Sequence, residues 1–126
     1  MFPSLWTDDS NDRAERIVIK NGISSLSLAD ANSLIESGRC TLVDVREPDE
    51  YRERHIPGAL NFPVDSINAQ NAAVKLPDKN AVILLYCLAG MRASSAAVKL
   101  SELGYRKLVN IGGISHWPYA TEQSPA

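Results

Sequence analysis

Short apolar runs alternate along this chain with segments in which apolar residues recur at helical spacing. The longest apolar run, Ala81 to Tyr86, predicts a strand that is buried on both faces of a sheet. Thr41 to Val45 and Lys107 to Ile111 predict two more buried strands, while Ile23 to Leu26 and Leu60 to Phe62 predict short ones. The stretches between these runs are long enough to hold helices.

Two longer helices are predicted from their ends and their apolar faces. Ser27, with Asp30 as a capping-box partner, begins the first helix, and Gly38 ends it. The second helix opens at Arg92 and closes at Gly104. Its apolar positions share one face: Ala93, Ala96, Ala97, Leu100 and Leu103. Strands that alternate with helices predict an α/β domain with a central, mainly parallel sheet and helices on both faces.

Shorter elements are expected in the remaining intervals. Pro48 suits the first turn of a brief helix, which must end before the turn at residues 57–58. A modest helix is expected over residues 64–72. A turn is expected at residues 112–113, followed by a short element over residues 114–119.

Composition indicates one domain. With 126 residues, a mass of 13.8 kDa and 44% hydrophobic residues, the chain can form a single core. We expect residues 23–120 to form this domain. Residues 1–22, which include a strand-like triplet at Ile17 to Ile19, are expected to be a loose or partly docked arm, and residues 121–126 a tail with little to pack.

Charge and hydropathy exclude several classes of partner. A formal net charge of −2, a pI near 5.6 and scattered basic residues indicate neither nucleic acid nor an anionic membrane as partner. No apolar run approaches the ~20 residues that cross a bilayer. The amino terminus has neither the basic start nor the apolar segment of a secretory signal, so we expect a cytoplasmic protein.

The two cysteines, Cys40 and Cys87, are predicted to stay apart. Cys40 precedes one buried strand and Cys87 follows another. If the two strands are parallel, five residues of about 3.3 Å each place the cysteines ~16 Å apart, whereas a disulfide needs Cα atoms within ~7 Å. We interpret Cys40 as a small buried core residue, with a resolving thiol as the alternative.

The candidate chemistry lies directly after the longest strand, in the loop from Cys87 to Arg92. Six positions are too few for another element, so the loop must curl, and successive N–H groups of a curled loop form an anion-binding nest. Gly90 is the position where a positive φ is cheapest, and Arg92 and the helix N-terminus add positive charge. A cysteine in such a site is expected to be held as a thiolate. A buried structural cysteine is the alternative.

Four segments in a fixed order extend this pattern. They are DVREPDEY at residues 44–51, HIPGALNFP at residues 55–63, CLAGMR at residues 87–92 and GGISHW at residues 112–117. Together they resemble the rhodanese family of sulfurtransferases, and the match runs from about Ile23 to Trp117. The loop by itself is moderate evidence for this resemblance, but four motifs in the right order are strong evidence for it.

The resemblance implies a rhodanese-like fold with a five-stranded parallel sheet, and a cysteine that cycles through a persulfide. Cys87 is implied as the catalytic nucleophile. It takes a sulfane sulfur from thiosulfate or a persulfide and passes it to a thiophilic acceptor, cyanide or a thiol. The loop that binds substrate and stabilises the persulfide is implied to be Leu88, Ala89, Gly90, Met91 and Arg92. Neither a metal nor an organic cofactor is implied.

Three positions depart from the family pattern. Leu88 and Met91 stand where many family loops carry a basic residue, and Ala93 stands where Ser or Thr is usual. The site is therefore less cationic, and dianionic thiosulfate is expected to bind weakly. A polysulfide, a small-molecule persulfide or a protein persulfide is the alternative donor.

Residues of the flanking motifs are interpreted as support for the loop. Asp44 and Arg46 are expected to form an ion-paired buttress, with direct substrate contact as the alternative. Arg46 and Glu50 are spaced i, i+4, which allows a surface pair. His55 is interpreted as a structural hydrogen-bonder rather than a general base, because persulfide transfer demands no proton relay. The cysteines and histidines show no zinc spacing.

Two other functions are kept as hypotheses. A non-catalytic binding or regulatory module of the same fold would dock a protein at the apolar Leu88 and Met91. A Cys-loop phosphatase or arsenate reductase is less favoured. Such loops hold five residues between Cys and Arg, whereas only four separate Cys87 from Arg92. A shorter loop makes a smaller cradle, which fits sulfur better than a phosphoryl group.

Overall fold

The apolar runs form the strands of one parallel sheet. A computed structural model describes residues 23–24 and 26–124, so the predicted arm over residues 1–22 and its strand-like triplet lie outside the described residues. The strands are β1 (Ile23–Ser24), β2 (Thr41–Asp44), β3 (Leu60–Asn61), β4 (Val82–Cys87) and β5 (Lys107–Gly113). All neighbours pair in parallel, in the order β1-β5-β4-β2-β3. The prediction of a five-stranded parallel sheet is confirmed.

Four α-helices accompany these strands in the described part of the chain. They are α1 (Leu28–Ser37), α2 (Pro48–Glu53), α3 (Ala69–Lys75) and α4 (Met91–Glu102). The predicted ends of α1 are confirmed, because Ser27 Oγ accepts the Asp30 N–H at 3.0 Å and Gly38 closes the helix with a φ of 74°. The helix expected to open at Arg92 begins one residue earlier.

The side chains of β4 alternate between two apolar cores. Those on one face pack with the apolar side of α4: Ile83, Leu85 and Cys87. Those on the other face pack with Ala31 and Leu34 of α1: Val82, Leu84 and Tyr86. Helices therefore cover both faces of the sheet, as predicted, and the carboxyl end of β4 lies between β2 and β5 at the middle of one edge.

The modest helix predicted over residues 64–72 is wrong in its extent. A 3-10 turn covers Val64–Ser66, and α3 begins only at residue 69. The interruption has a local cause, because Asn68 has extended backbone and its Oδ1 accepts the Asn71 N–H at 2.8 Å. The side chain of Asn68 thus starts a new helix where the apolar pattern predicts a continuous one.

Strand β5 is longer than its apolar pattern predicts. It was expected to end at Ile111, with a turn at Gly112 and Gly113, but it continues through Gly113 before a 3-10 turn over Ile114–His116. The pairing register shifts near the end of β4, where Cys87 lies opposite Gly113. This irregularity extends β5 alongside the loop that follows Cys87.

The segment after Thr121 packs more closely than predicted. Glu122 forms an antiparallel bridge with His55, with both backbone N···O distances at 2.9 Å. The Ser124 N–H donates to the carbonyl of Arg52 at 3.1 Å. The expectation of little packing is therefore wrong for the described residues 122–124, because their backbone polar groups find partners at the end of α2.

Cys40 and Cys87 are not joined by a disulfide, as predicted. Cys40 is less buried than predicted. It is half-buried against the core that α1 covers, because it precedes β2 instead of lying within it. Among the described helices, none has the length and apolar content to span a membrane.

Candidate active site

Cys87 is the last residue of β4, at the edge of the sheet where open parallel sheets bind ligands. Its side chain packs on the face that α4 covers. The residue is only 1% exposed. The thiol is therefore almost fully covered, at the point where the loop begins.

A backbone donor of the loop points at this sulfur. The N–H of Gly90 donates to Cys87 Sγ, with an N···S distance of 2.9 Å. Gly90 has a φ of 109°, which confirms the prediction of a positive φ at this position. Helix α4 begins at the next residue, Met91, and places the positive end of its dipole at the loop. The loop thus places one backbone donor and the positive end of a helix dipole close to Cys87.

Arg92 forms a bidentate ion pair with Glu50 of α2, at N···O distances of 2.7 and 3.1 Å. The hydrogen bonds from Arg92 lower the pKa of Glu50 to about 2. Glu50 in turn raises the pKa of Arg92, and the charge of Cys87 adds to that shift. Arg92 thus lies within electrostatic reach of the thiol, with much of its charge balanced. The sequence identified Arg92 but not its partner.

Asp44 and Arg46 form the predicted ion pair, and its support of the loop stays a prediction. The Arg46 guanidinium donates to the Asp44 carboxylate at distances of 2.8 to 3.2 Å, and the two side chains are 5% and 0% exposed. Burial acts to lower the pKa of Arg46, but the hydrogen bonds and charge of Asp44 outweigh it and raise that pKa. The surface pair predicted between Arg46 and Glu50 is wrong, because Arg46 turns inward and Glu50 binds the loop arginine.

His55 is a buried hydrogen-bonder, as predicted. Its Nδ1 lies 2.8 Å from the Tyr51 carbonyl oxygen, and its Nε2 lies 3.1 Å from Glu122 Oε2. The ring also stacks on Tyr51, with centroids 3.9 Å apart. Both ring nitrogens are engaged with α2 and the carboxyl-terminal segment, so the geometry indicates no general base at His55.

Two side chains from the β5 region hold loop carbonyls, and sequence reasoning missed both. Ser115 donates to the Leu88 carbonyl through its Oγ at 2.8 Å and its backbone N–H at 3.2 Å. Asn110 Nδ2 donates to the Gly90 carbonyl at 2.9 Å. Ser115 lies inside the GGISHW segment and Asn110 just before it, but only the register of β5 on β4 shows that they reach this loop.

The rim of the loop is apolar. Leu88 and Met91 are 49% and 83% exposed, so the loop presents two large hydrophobic side chains at the surface. Within residues 23–24 and 26–124, no group of three or more His, Cys, Asp or Glu side chains is arranged to hold a metal ion. The site is therefore built from one thiol, backbone donors, two ion pairs and an apolar rim.

A sheet that ends in a cysteine loop of this form invites comparison with known proteins. A family model described as a rhodanese-like domain matches residues 27–119. The chain belongs to this rhodanese-like family. The predicted family and fold are thereby confirmed.

Several rhodanese-like relatives carry an activity in their names. Thiosulfate sulfurtransferase PspE of Escherichia coli (strain K12) is 39% identical over 72 residues, which cover 57% of this chain and 68% of that protein. Thiosulfate sulfurtransferase GlpE of Coxiella burnetii (strain RSA 331 / Henzerling II) is 30% identical over 93 residues, which cover 73% of this chain and 84% of that protein. These names support a sulfurtransferase function at the level of the family.

A solved structure agrees with the rhodanese-like fold. The crystal structure of the BH2092 protein from Bacillus halodurans matches with a TM-score of 0.72 and 33% sequence identity. The match covers 89% of this chain and 85% of that one. The similarity therefore extends over most of both chains.

Proposed function

We propose that this chain is a rhodanese-type sulfurtransferase in which Cys87 carries the transferred sulfur as a persulfide. The donor is thiosulfate or a persulfide, and the acceptor is cyanide or a thiol. The observation that carries the proposal is the Gly90 N–H donated to Cys87 Sγ at 2.9 Å, at the start of α4. We also propose that the protein acts in the cytoplasm, on the composition of its sequence.

Sulfur transfer takes two displacement steps at Cys87. The thiolate first attacks the sulfane sulfur of thiosulfate, so that a new S–S bond forms, the S–S bond of thiosulfate breaks and sulfite leaves with its electron pair. The acceptor then attacks the outer sulfur of the persulfide. Cyanide departs as thiocyanate, or a thiolate departs as a new persulfide, and the Cys87 thiolate is regenerated. Neither step requires a proton relay, in keeping with the engaged nitrogens of His55.

The loop stabilises the charge that both steps require. A hydrogen bond to an ionised group is roughly twice as strong as one between neutral groups. The Gly90 N–H and the N-terminus of α4 favour the thiolate before transfer. The persulfide anion extends one sulfur atom further into the same loop, where its backbone donors are expected to bind it.

The balance of charge at the rim bears on the donor. Arg46 and Arg92 are each paired with a carboxylate, and the exposed rim residues Leu88 and Met91 are apolar. A dianion such as thiosulfate therefore meets little uncompensated positive charge from these residues. A persulfide carried on a small molecule or on a protein suits this rim better, and both donor classes belong in the assay.

The competing functions have weaker support. A Cys-loop phosphatase uses its loop arginine to bind the phosphoryl group, whereas Arg92 is held by both carboxylate oxygens of Glu50. A non-catalytic module has no need for a backbone donor aimed at the sulfur of Cys87. The apolar rim is compatible with protein docking, but it is equally compatible with a protein-borne sulfur donor.

Mass spectrometry tests the proposal directly. The reduced protein is incubated with thiosulfate and, separately, with glutathione persulfide, and the intact mass is measured. We expect one added sulfur atom, mapped to Cys87, and its release as thiocyanate when cyanide is added. A folded, reduced protein that takes up no sulfur from either donor would contradict the proposal.

The two cysteines provide a matched pair of variants. Cys87→Ser removes the proposed nucleophile and is expected to abolish sulfur uptake. Cys40→Ser makes the same change at the other cysteine and is expected to leave uptake at the wild-type level. Sulfur found on Cys40 in the wild-type protein would point to a different carrier.

A further inference from the structure

We propose that Asn110 is a positioning residue that keeps the Cys87 loop in its anion-binding conformation. Asn110 lies on β5 and belongs neither to the loop nor to the four motifs that identify the family. Its side chain reaches the loop at the carbonyl of Gly90, whose own N–H donates to Cys87 Sγ. The proposal rests on the function proposed for Cys87 and adds a residue that sets how well the loop holds the thiolate.

The orientation of the Asn110 amide follows from its partners. Its Oδ1 accepts the Gly112 N–H at 2.7 Å. The opposite end must therefore be the NH₂ group, which donates to the Gly90 carbonyl at 2.9 Å and to Ser94 Oγ at 2.9 Å. The amide thus links the end of β5, the loop and the first turn of α4. This fixes the direction in which the Gly90 carbonyl points.

That direction matters because Gly90 can readily turn. Glycine lacks the Cβ that confines other residues, so the peptide unit after Gly90 turns readily unless its carbonyl is held, as it is here by Asn110 Nδ2 at 2.9 Å and by the Ser94 N–H at 3.1 Å. The peptide is trans and planar, so its N–H, which belongs to Met91, points opposite to the Gly90 carbonyl. While Asn110 and the Ser94 N–H hold this carbonyl, it cannot turn toward Cys87 Sγ and repel a thiolate there.

A second contact restrains the loop from the same side. The Leu88 carbonyl accepts both the Oγ and the N–H of Ser115. The peptide bond between Leu88 and Ala89 is also trans, so the N–H of Ala89 points opposite to the Leu88 carbonyl and away from Ser115. Two loop carbonyls, one on each side of Ala89, are therefore held by residues of the β5 region. Each carbonyl also has a backbone donor, the Ser94 N–H at 3.1 Å for Gly90 and the Ser115 N–H at 3.2 Å for Leu88, so the side chains of Asn110 and Ser115 each add a second hydrogen bond.

The pH profile of Cys87 alkylation measures this effect. Alkylation by iodoacetamide follows the thiolate and can be mapped to Cys87 by peptide mass spectrometry. In Asn110→Ala the Gly90 carbonyl loses one of its two donors, so the thiolate is less stabilised and the midpoint of the profile is expected to move to higher pH by about 0.3 unit, a twofold effect. Ser115→Ala is expected to move it in the same direction by a similar amount, because a backbone N–H still holds the Leu88 carbonyl.

Sulfur loading from thiosulfate provides the second readout. Deletion of one oxyanion-type donor costs about 10²–10³ in rate. Asn110→Ala removes one of two donors to the Gly90 carbonyl and deletes no donor to the sulfur, so we expect a smaller loss, about twofold to threefold. Because alkylation needs no sulfur donor, the pH profile tests Asn110 even if the wild-type protein takes up no sulfur. A wild-type protein that takes up no sulfur would contradict the proposed function, but it would not contradict the role proposed for Asn110.

Asn71 supplies the matched control. Its Nδ2 also donates to a backbone carbonyl, that of Ser66, at 2.7 Å, but it lies on α3. Asn71→Ala is expected to leave the Cys87 profile and the loading rate unchanged. If Asn110→Ala does not fold, Asn110→Leu keeps the side-chain volume without the donor and carries the same expectation. A folded Asn110 variant whose alkylation profile coincides with that of wild type would overturn the proposal.

Discussion

At the scale of single residues, Gly113 and Gly90 are required near the loop for different physical reasons. Gly113 has an extended φ of −133°, which any residue adopts. A Cβ there would nevertheless lie 1.9 Å from the Leu88 carbonyl oxygen. Gly90 has space around it, since its nearest neighbour would be 3.5 Å from a Cβ, but its φ of 109° favours glycine. The loop thus needs one glycine for close approach and another for backbone conformation.

Alanine at Gly113 is expected to displace the loop. The clash is with backbone, so the loop must move, at a cost of roughly 1–3 kcal/mol in the free energy of unfolding. Gly38→Ala serves as the control, because it has open space and a φ of 74° and is expected to cost about 1–2 kcal/mol through strain alone. Urea denaturation measures the free energy of unfolding, and the rate of sulfur loading measures the reactivity of Cys87.

The two variants are expected to differ in loading more than in stability. Gly113→Ala should load Cys87 at least tenfold more slowly at a temperature where it is folded, whereas Gly38→Ala should load it at the wild-type rate. Wild-type loading of a folded Gly113→Ala variant would show that the close packing of β5 on the loop is unimportant for the site.

At the scale of elements, α2 is held at the site by polar contacts. The six-residue helix buries none of its residues fully. Its first turn is closed by Glu50 Oε1, which accepts the Glu47 N–H at 2.9 Å, while the same carboxylate binds Arg92. Tyr51 adds a hydrogen bond from its hydroxyl to the Ala59 carbonyl at 2.7 Å. Glu50 is therefore the contact through which α2 is attached to the cysteine loop and α4.

The Glu50 contact predicts a dependence of stability on pH. Its pKa is lowered from 4.5 to about 2 by Arg92, so the folded state favours the ionised carboxylate. The resulting stabilisation is fully present above about pH 4.5 and is lost as the pH falls toward 2. The Glu50→Gln variant lacks this stabilisation at every pH. The difference in unfolding free energy between wild type and variant should therefore shrink across this window.

Urea denaturation at several pH values between 6 and about 2.5 measures that difference. Asp49→Asn is a suitable control on the same helix, because the Asp49 side chain is exposed and pairs with Arg52 instead of the loop. It should show little difference from wild type at any of these pH values. A Glu50→Gln difference that stays constant from pH 5 to pH 2.5 would contradict the interpretation.

At the scale of the whole molecule, residues 122–124 return to the region between α2 and β3. The backbone of Glu122 pairs with His55 in both directions, and the Ser124 N–H reaches the carbonyl of Arg52. Oε2 of the Glu122 carboxylate also lies 3.1 Å from His55 Nε2, within hydrogen-bonding distance. The carboxyl-terminal segment thus holds the end of the helix that carries Glu50.

Removal of residues 122–126 is expected to weaken this region. The deletion loses three backbone hydrogen bonds, each worth about 0.5–1.5 kcal/mol, and exposes His55. We expect about 1–3 kcal/mol of destabilisation in urea and faster hydrogen exchange in α2. Glu122→Ala keeps the backbone bridge and removes a half-exposed carboxylate, so it should cost less than about 1 kcal/mol. Equal stability of the deletion variant and wild type would contradict the inference that residues 122–124 stabilise the end of α2.

Local sequence signals were accurate where a short segment decides its own conformation. Ser27 and Gly38 bound α1 as predicted, because caps depend on neighbours within one turn. The same reasoning failed at Asn68, where a polar cap divides an apolar pattern, and at Gly113, where a glycine is kept in a strand by its contact with Leu88. Apolar periodicity reports burial, but it does not report which backbone groups a side chain will bind.

The strand, loop and helix around Cys87 were determined by the sequence itself. A buried strand, a six-position loop and a helix N-terminus are contiguous, so Cys87, Gly90 and Arg92 must lie close together whatever the rest of the chain does. The tertiary structure decided which distant groups hold this unit. Glu50 lies 42 residues from Arg92, and Asn110 lies 20 residues from Gly90. Strand order and register bring these pairs together, and neither can be read from local periodicity.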